Sequence, residues 1–134
     1  MFNDTVTVFN YYDGQWLPTV IKNAELQIKS EIQEKNSGVL SSDNALLFVS
    51  CKGDIVGGKS YLPPKAWQRS DVKESTVTFA EDDFFVIGEF LTIVNDEDYE
   101  DGYFAYMTEN LDYCYKITSI KKLKNIPHFE VGGA

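Results

Sequence analysis

The residues best suited to chemistry are carboxylates concentrated in one stretch of the chain. Between Glu81 and Asp112 there are eleven Asp and Glu residues and no Lys or Arg. They are Glu81, Asp82, Asp83, Glu89, Asp96, Glu97, Asp98, Glu100, Asp101, Glu109 and Asp112. Such a block could bind a divalent cation, supply a pair of carboxylates for glycoside hydrolysis, or contact a basic partner.

The first two kinds of chemistry lack the spacing that they need. An EF-hand loop counted from Asp96 requires Gly at its sixth position and Glu at its twelfth, where this chain has Asp101 and Met107. No spacing in the block identifies a catalytic pair. Two interpretations stay open: a solvated face, or a surface that lines a channel or meets a basic partner. The predicted acidic patch consists of Asp82, Asp83, Asp96, Glu97, Asp98, Glu100 and Asp101.

A basic counterpart follows the acidic block. The predicted basic patch consists of Lys116, Lys121, Lys122 and Lys124. Because head-to-tail interfaces can close into rings, one copy's acidic patch could contact the next copy's basic patch.

Other catalytic patterns are missing from the sequence. His128 is the only histidine, so sites with several histidine ligands are excluded. The two cysteines, Cys51 and Cys114, lie in strand-like runs, and no local nucleophile motif accompanies them. There is no phosphate-binding glycine loop, no GxSxG and no HExxH. We therefore predict no enzyme, no cofactor and no bound metal.

Length and charge limit the remaining function classes. A chain of 134 residues is expected to form one domain, over residues 1–134. Its net charge of −9 disfavours binding to phosphates, although an acidic wall could let DNA pass without holding it. We expect neither a signal peptide nor a membrane span, because no apolar run approaches ~18 residues.

The chain contains many short strand-like runs. Thr5–Tyr11 and Trp16–Lys29 flank Asp13-Gly14, which predicts a hairpin. Further strands are predicted at Ala45–Cys51, Lys59–Leu62, Thr76–Phe79, Tyr113–Ile120 and Pro127–Val131, and Phe84–Ile87 is a second apolar run. Helices are predicted at Pro64–Arg69 and at Asp96–Asn110, and Gly132–Ala134 is expected to be a loose tail. The fold class is mainly β: a small barrel or sandwich of six or seven short strands with one or two short helices.

A long polar segment, residues 30–44, interrupts the strands. It exceeds the usual hairpin loop, which favours either a bland surface loop or a flexible loop that orders against a partner. The residues predicted to contact that partner are Glu31, Ile32, Val39 and Leu40.

Five segments resemble an uncharacterised family of small proteins encoded in the structural-gene modules of phages and prophages of Gram-positive bacteria. They are Asp4–Asn10, Lys59–Gln68, Asp96–Tyr99, Gly102–Met107 and Ile126–Val131. The resemblance spans nearly the whole chain and implies a structural role without an assigned chemistry.

The order of elements is also similar to that of phage head-closure (head–tail joining, or stopper) proteins. That resemblance implies a small β-barrel in a six-fold homo-oligomeric ring, placed in the virion neck between portal or adaptor and tail, with DNA passing nearby. By position, the loop that reaches the channel or neighbouring subunits would be residues 30–44. The protein would be made in the bacterial host cytoplasm and assembled into the virion.

Alternatives stay open beside this expectation. A tail-terminator or minor capsid subunit fits the same pattern. A carbohydrate- or calcium-dependent binding module would use the tyrosine-rich segment Tyr99–Tyr115, and a hydrolase is a third alternative.

Overall fold

The computed structural model describes residues 3–28, 44–124 and 127–134. The fold begins with a long hairpin, in which β1 (Asp4–Tyr12) and β2 (Gln15–Ile28) pair antiparallel. Asp13 and Gly14 connect them with φ angles of 50° and 79°. Positive φ at both central residues is the geometry that two-residue hairpin turns favour. The predicted hairpin and its turn are therefore confirmed.

In the described ranges, eight further strands and two helices follow. The strands are β3 (Ala45–Ser50), β4 (Ile55–Val56), β5 (Lys59–Tyr61), β6 (Thr76–Val77), β7 (Phe84–Ile87), β8 (Val94–Asn95), β9 (Cys114–Leu123) and β10 (His128–Gly133). The helices are α1 (Pro64–Arg69) and α2 (Tyr103–Asn110), and short 3₁₀ helices cover Lys73–Ser75 and Asp96–Asp98.

Six of these strands close into an antiparallel barrel in the order β1-β7-β9-β10-β3-β2, with β2 returning to β1. Closure depends on the length of β2. Its residues as far as Ala24 pair with β1, and its last five, Ala24 to Ile28, pair with β3. The chain is therefore mainly β, and of the two predicted architectures it adopts the barrel.

The barrel interior is the main core. Val6 and Val8 of β1 point inward with Phe85, Ile117 and Phe129, and all five are buried. Side chains from the small sheet formed by β4, β5 and β6 join the same core. This sheet therefore packs against the barrel through its apolar residues.

A second core lies outside the barrel wall. Phe9 and Phe84 stack at 4.9 Å between ring centroids, and Tyr103 and Met107 of α2 pack against them. As a result both faces of β1 are covered, and every residue from Val6 to Asn10 is buried. This outer core attaches the acidic stretch to the barrel.

Two sequence expectations are wrong. Asp96–Asn110 is not one helix, because Gly102 has a φ of 92°, which breaks the chain into a 3₁₀ helix and α2. Residues 132–134 are not a loose tail. Gly132 and Gly133 are buried in β10, and Ala134 exchanges two backbone hydrogen bonds with Lys116. Small residues are needed there because neighbouring side chains leave no space.

We expect Gly133→Ala to lower the free energy of unfolding by about 1–3 kcal/mol, since overpacking a tight site costs that much. A Cβ at this position would lie 2.8 Å from Tyr115 Cβ and 2.9 Å from Phe85 Cζ. Urea denaturation measures the loss. Lys121→Ala, at an exposed position of β9, is the control and should change the free energy of unfolding by less than about 0.5 kcal/mol. Equal changes in the two variants would contradict the packing described.

Candidate functional site

The acidic stretch is anchored by one carboxylate. Asp96 Oδ1 accepts hydrogen bonds from Trp16 Nε1 and from the backbone N–H of Tyr103, both at 2.8 Å. The second bond satisfies the first amide of α2, which has no partner within the helix. Asp96 thus holds α2 to the β1–β2 hairpin.

Three tyrosines extend from this anchor to the surface. Tyr99 lies 5.0 Å from Tyr103 and 4.6 Å from Tyr106 between ring centroids. Tyr103 is buried, and burial raises its pKa to about 12. The side chain of Tyr106 is 45% exposed, so the outermost ring is accessible.

Exposed carboxylates surround these rings. Glu97, Asp98, Glu100 and Asp101 are exposed, and within the described residues none of them forms an ion pair with Lys or Arg. We call these four residues, with Tyr99 and Tyr106, the acidic tyrosine face. In the part of the chain that the structure describes, no three His, Cys, Asp or Glu side chains converge as metal ligands.

Asp83 does not belong to an exposed patch, so that prediction is wrong, although its neighbour Asp82 is exposed. Asp83 Oδ2 accepts a hydrogen bond from Asn10 Nδ2 at 3.0 Å, and Oδ1 accepts one from the Tyr11 N–H at 3.2 Å. Asn10 also donates to the Thr78 carbonyl at 2.8 Å. Burial raises the Asp83 pKa to about 7, although both hydrogen bonds oppose the shift. The Asp83 carboxyl group therefore links β1 to the segment before β7.

The predicted basic patch divides into two locations. Lys116 Nζ lies 5.0 Å from the Phe104 ring centroid at one end of β9. Lys122, six residues and roughly 20 Å along the strand, contacts Asp54 at 2.5 Å. Lys121 and Lys124 are exposed near Lys122. Four lysines spread over a whole strand do not make one compact surface.

The predicted interaction loop cannot be placed. Glu31, Ile32, Val39 and Leu40 lie outside the described residues.

The two thiols and the histidine occupy structural positions. Cys51 and Cys114 are free thiols. Burial raises the pKa of both, that of Cys114 to about 11, which disfavours the reactive thiolate. His128 Nε2 lies 3.1 Å from Glu130 Oε2 within β10. The described residues thus contain no thiol activated for nucleophilic attack.

Sequence reasoning missed an exposed apolar segment, Glu89–Ile93, between β7 and β8. Leu91 is 74% exposed and Ile93 is 48% exposed. We call this the open segment. The run Leu91-Thr92-Ile93-Val94 after Gly88 was a signal for a strand, but only the structure reveals that most of it has no strand partner.

The chain belongs to a protein family described as a family of unknown function (DUF6751), whose model matches residues 1–134. Searches of the curated proteins and of the solved structures found no match. No helix among the described residues is long and apolar enough to cross a membrane.

Replacing Asp96 by Ala should lower the free energy of unfolding by about 1–3 kcal/mol, because it leaves two donors without an acceptor. Asp98→Ala is the matched control, since Asp98 is exposed and has no such contact; it should change stability by less than about 0.5 kcal/mol. Urea denaturation followed by tryptophan fluorescence reports both. Equal losses in the two variants would refute the anchoring role of Asp96.

Asp83 should make stability depend on pH. Its pKa is about 7 in the folded chain and 3.8 ordinarily, so the folded state holds this proton more tightly than the unfolded state. The stabilisation is complete below pH ~4 and falls as pH rises to about 7. We expect the difference in unfolding free energy between wild type and Asp83→Asn to decline over this range.

The control is Thr92→Ala, at an exposed residue without an ionisable side chain. Its difference from wild type should stay constant with pH, because no titrating group is changed. A pH-independent difference for Asp83→Asn, measured in urea at half-unit pH intervals, would show that Asp83 titrates normally.

Proposed function

We propose that this chain is a structural subunit of a phage virion neck, a head-closure or head–tail connector protein that acts by assembly and not by catalysis. It forms a homo-oligomeric ring, on the six-fold plan of the proteins it resembles, between the portal or adaptor and the tail. DNA passes nearby without being specifically bound.

The barrel supports this proposal. The resemblance in element order implies a small β-barrel, and the chain folds as a closed six-stranded one. The strand order alone fits a tail-terminator or minor capsid subunit equally well. Only the resemblance to head-closure proteins favours a neck protein.

The exposure of the open segment carries the proposal. Leu91 and Ile93 expose 74% and 48% of their surface, on a protein whose barrel strands are each paired on both sides. Contiguous exposed apolar surface is typical of interaction sites, and these two side chains lie two residues apart on one segment. Burial between neighbouring subunits of a virion would cover them.

Charge supports a role beside DNA. The net charge is −9, and the acidic tyrosine face adds four exposed carboxylates within five residues. A surface of this sign repels phosphates, so a DNA channel near it would not retain the moving duplex.

We expect the wild-type chain to be present in purified virions of the lysogen that encodes it, at a few copies per particle. Quantitative mass spectrometry of those particles measures the copy number. Absence of the chain from complete particles would refute the proposal.

A substitution of Leu91 tests whether the open segment is needed for assembly into virions. Leu91→Lys should reduce incorporation about tenfold or more while leaving the unfolding midpoint unchanged, because this side chain packs little within the monomer. Val72→Lys, at another exposed apolar position (57%), is the control and should incorporate normally. Normal incorporation of the Leu91→Lys variant would show that the open segment is not part of the interface.

A further inference from the structure

The main chain of the open segment is largely unpaired. Gly88 N–H donates to the Thr5 carbonyl and Phe90 N–H donates to Thr7 Oγ1, which attaches the start of the segment to β1. From Glu89 to Ile93 no backbone group bonds to the backbone of another described residue. The chain there has no turn or bend. The five residues form neither a helix nor a strand, and their main chain has no backbone partner among the described residues.

Pro18 explains why the segment does not join the sheet. β8 pairs with β2 at Val94–Trp16 and Asn95–Gln15, and the next steps of this ladder would reach Leu17 and Pro18. Proline has no N–H to donate. Its carbonyl already accepts a hydrogen bond from Lys59 Nζ at 3.2 Å. The ladder therefore stops at β8, and the segment before it remains open.

Two amides of the segment have no partner. Among the described residues the N–H groups of Leu91 and Ile93 donate no hydrogen bond, whereas that of Phe90 donates to Thr7 Oγ1. A recess of about 470 Å³ adjoins the segment. Its lining is mixed: Val20 and Leu91 are apolar, Lys22, Asn23 and Glu89 are polar, and Gly57 and Gly58 complete it.

We infer that the open segment is a strand-addition edge, which pairs with an extended segment of a neighbouring virion protein. The unpaired amides and carbonyls would form hydrogen bonds with the main chain of a partner in strand conformation. Leu91 and Ile93, exposed two residues apart, favour apolar side chains at alternate positions of the partner strand. Beyond β8 the edge leads to the acidic tyrosine face, so charge complementarity requires basic residues at that end of the partner strand.

This inference rests on the proposed function, because it names the contact through which the subunit would join its neighbours. The recognition can nevertheless be measured on the isolated chain. A chain that binds strands but is absent from virions would refute the proposed function alone, and a chain that is incorporated but binds no strand would refute the inference alone.

The probe is an array of nine-residue peptides with Val or Ile at alternate positions and two lysines at one end. The control array has the same composition, with the apolar residues at helical spacing. We expect the full-length protein to bind members of the first array at least about tenfold more tightly than members of the second. Equal binding, or binding to neither array, overturns the inference.

Two variants separate main-chain pairing from side-chain contact. Leu91→Pro removes the unpaired N–H, whereas Leu91→Ala keeps it, and both replace the leucine side chain by a smaller one. The Pro variant should bind the best peptide at least about tenfold more weakly than the Ala variant, with circular dichroism confirming that both fold. Equal binding by the two variants overturns the inference.

Hydrogen exchange gives a readout that needs no variant. The best peptide should slow exchange at the amides of Leu91 and Ile93 by about tenfold or more, and the amides of the exposed residues Lys121 and Lys124 should not change. Binding without protection at Leu91 and Ile93 would place the peptide elsewhere and overturn the inference.

Discussion

Closure of the barrel through β2 is the constraint on which the other features depend. A closed antiparallel barrel pairs each strand on both sides and so leaves no edge of its own for a partner. The 14-residue strand β2 closes the barrel, because it pairs with β1 along its first part and with β3 along its last five residues. Pro18 lies six residues before this change of partners, and the chain that passes it stays outside the sheet. The main-chain pairing with a partner that we propose would therefore use segments added to the barrel wall.

The outer core determines where these segments lie. Phe9 and Phe84 point away from the barrel interior, so they require a cover, which α2 and the residues before it supply. Asp96 then fixes the beginning of α2 by bonding both Trp16 and Tyr103. The acidic tyrosine face is consequently attached to the barrel through the outer core and the Asp96 hydrogen bonds.

Local signals in the sequence predicted the parts of the fold that local physics controls. Asp13-Gly14 required a hairpin, and Pro64 suited the start of a helix, since proline fixes φ near its helical value. Predictions that depended on distant neighbours were less accurate. Asp83 looks like its exposed neighbours in sequence, yet Asn10, 73 residues away, holds it inside. Gly133 resembles a flexible tail until Phe85 and Tyr115 are placed beside it. The open segment was missed because its lack of a partner results from Pro18, on another strand.

The most direct test of the central claim is a cryo-electron microscopy map of the particle neck at side-chain resolution. Our account predicts a ring of this chain between portal or adaptor and tail, with a strand from a neighbouring protein paired along Leu91 and Ile93 in every copy. A neck in which this barrel is absent, or in which those two residues face solvent in every copy, would contradict it.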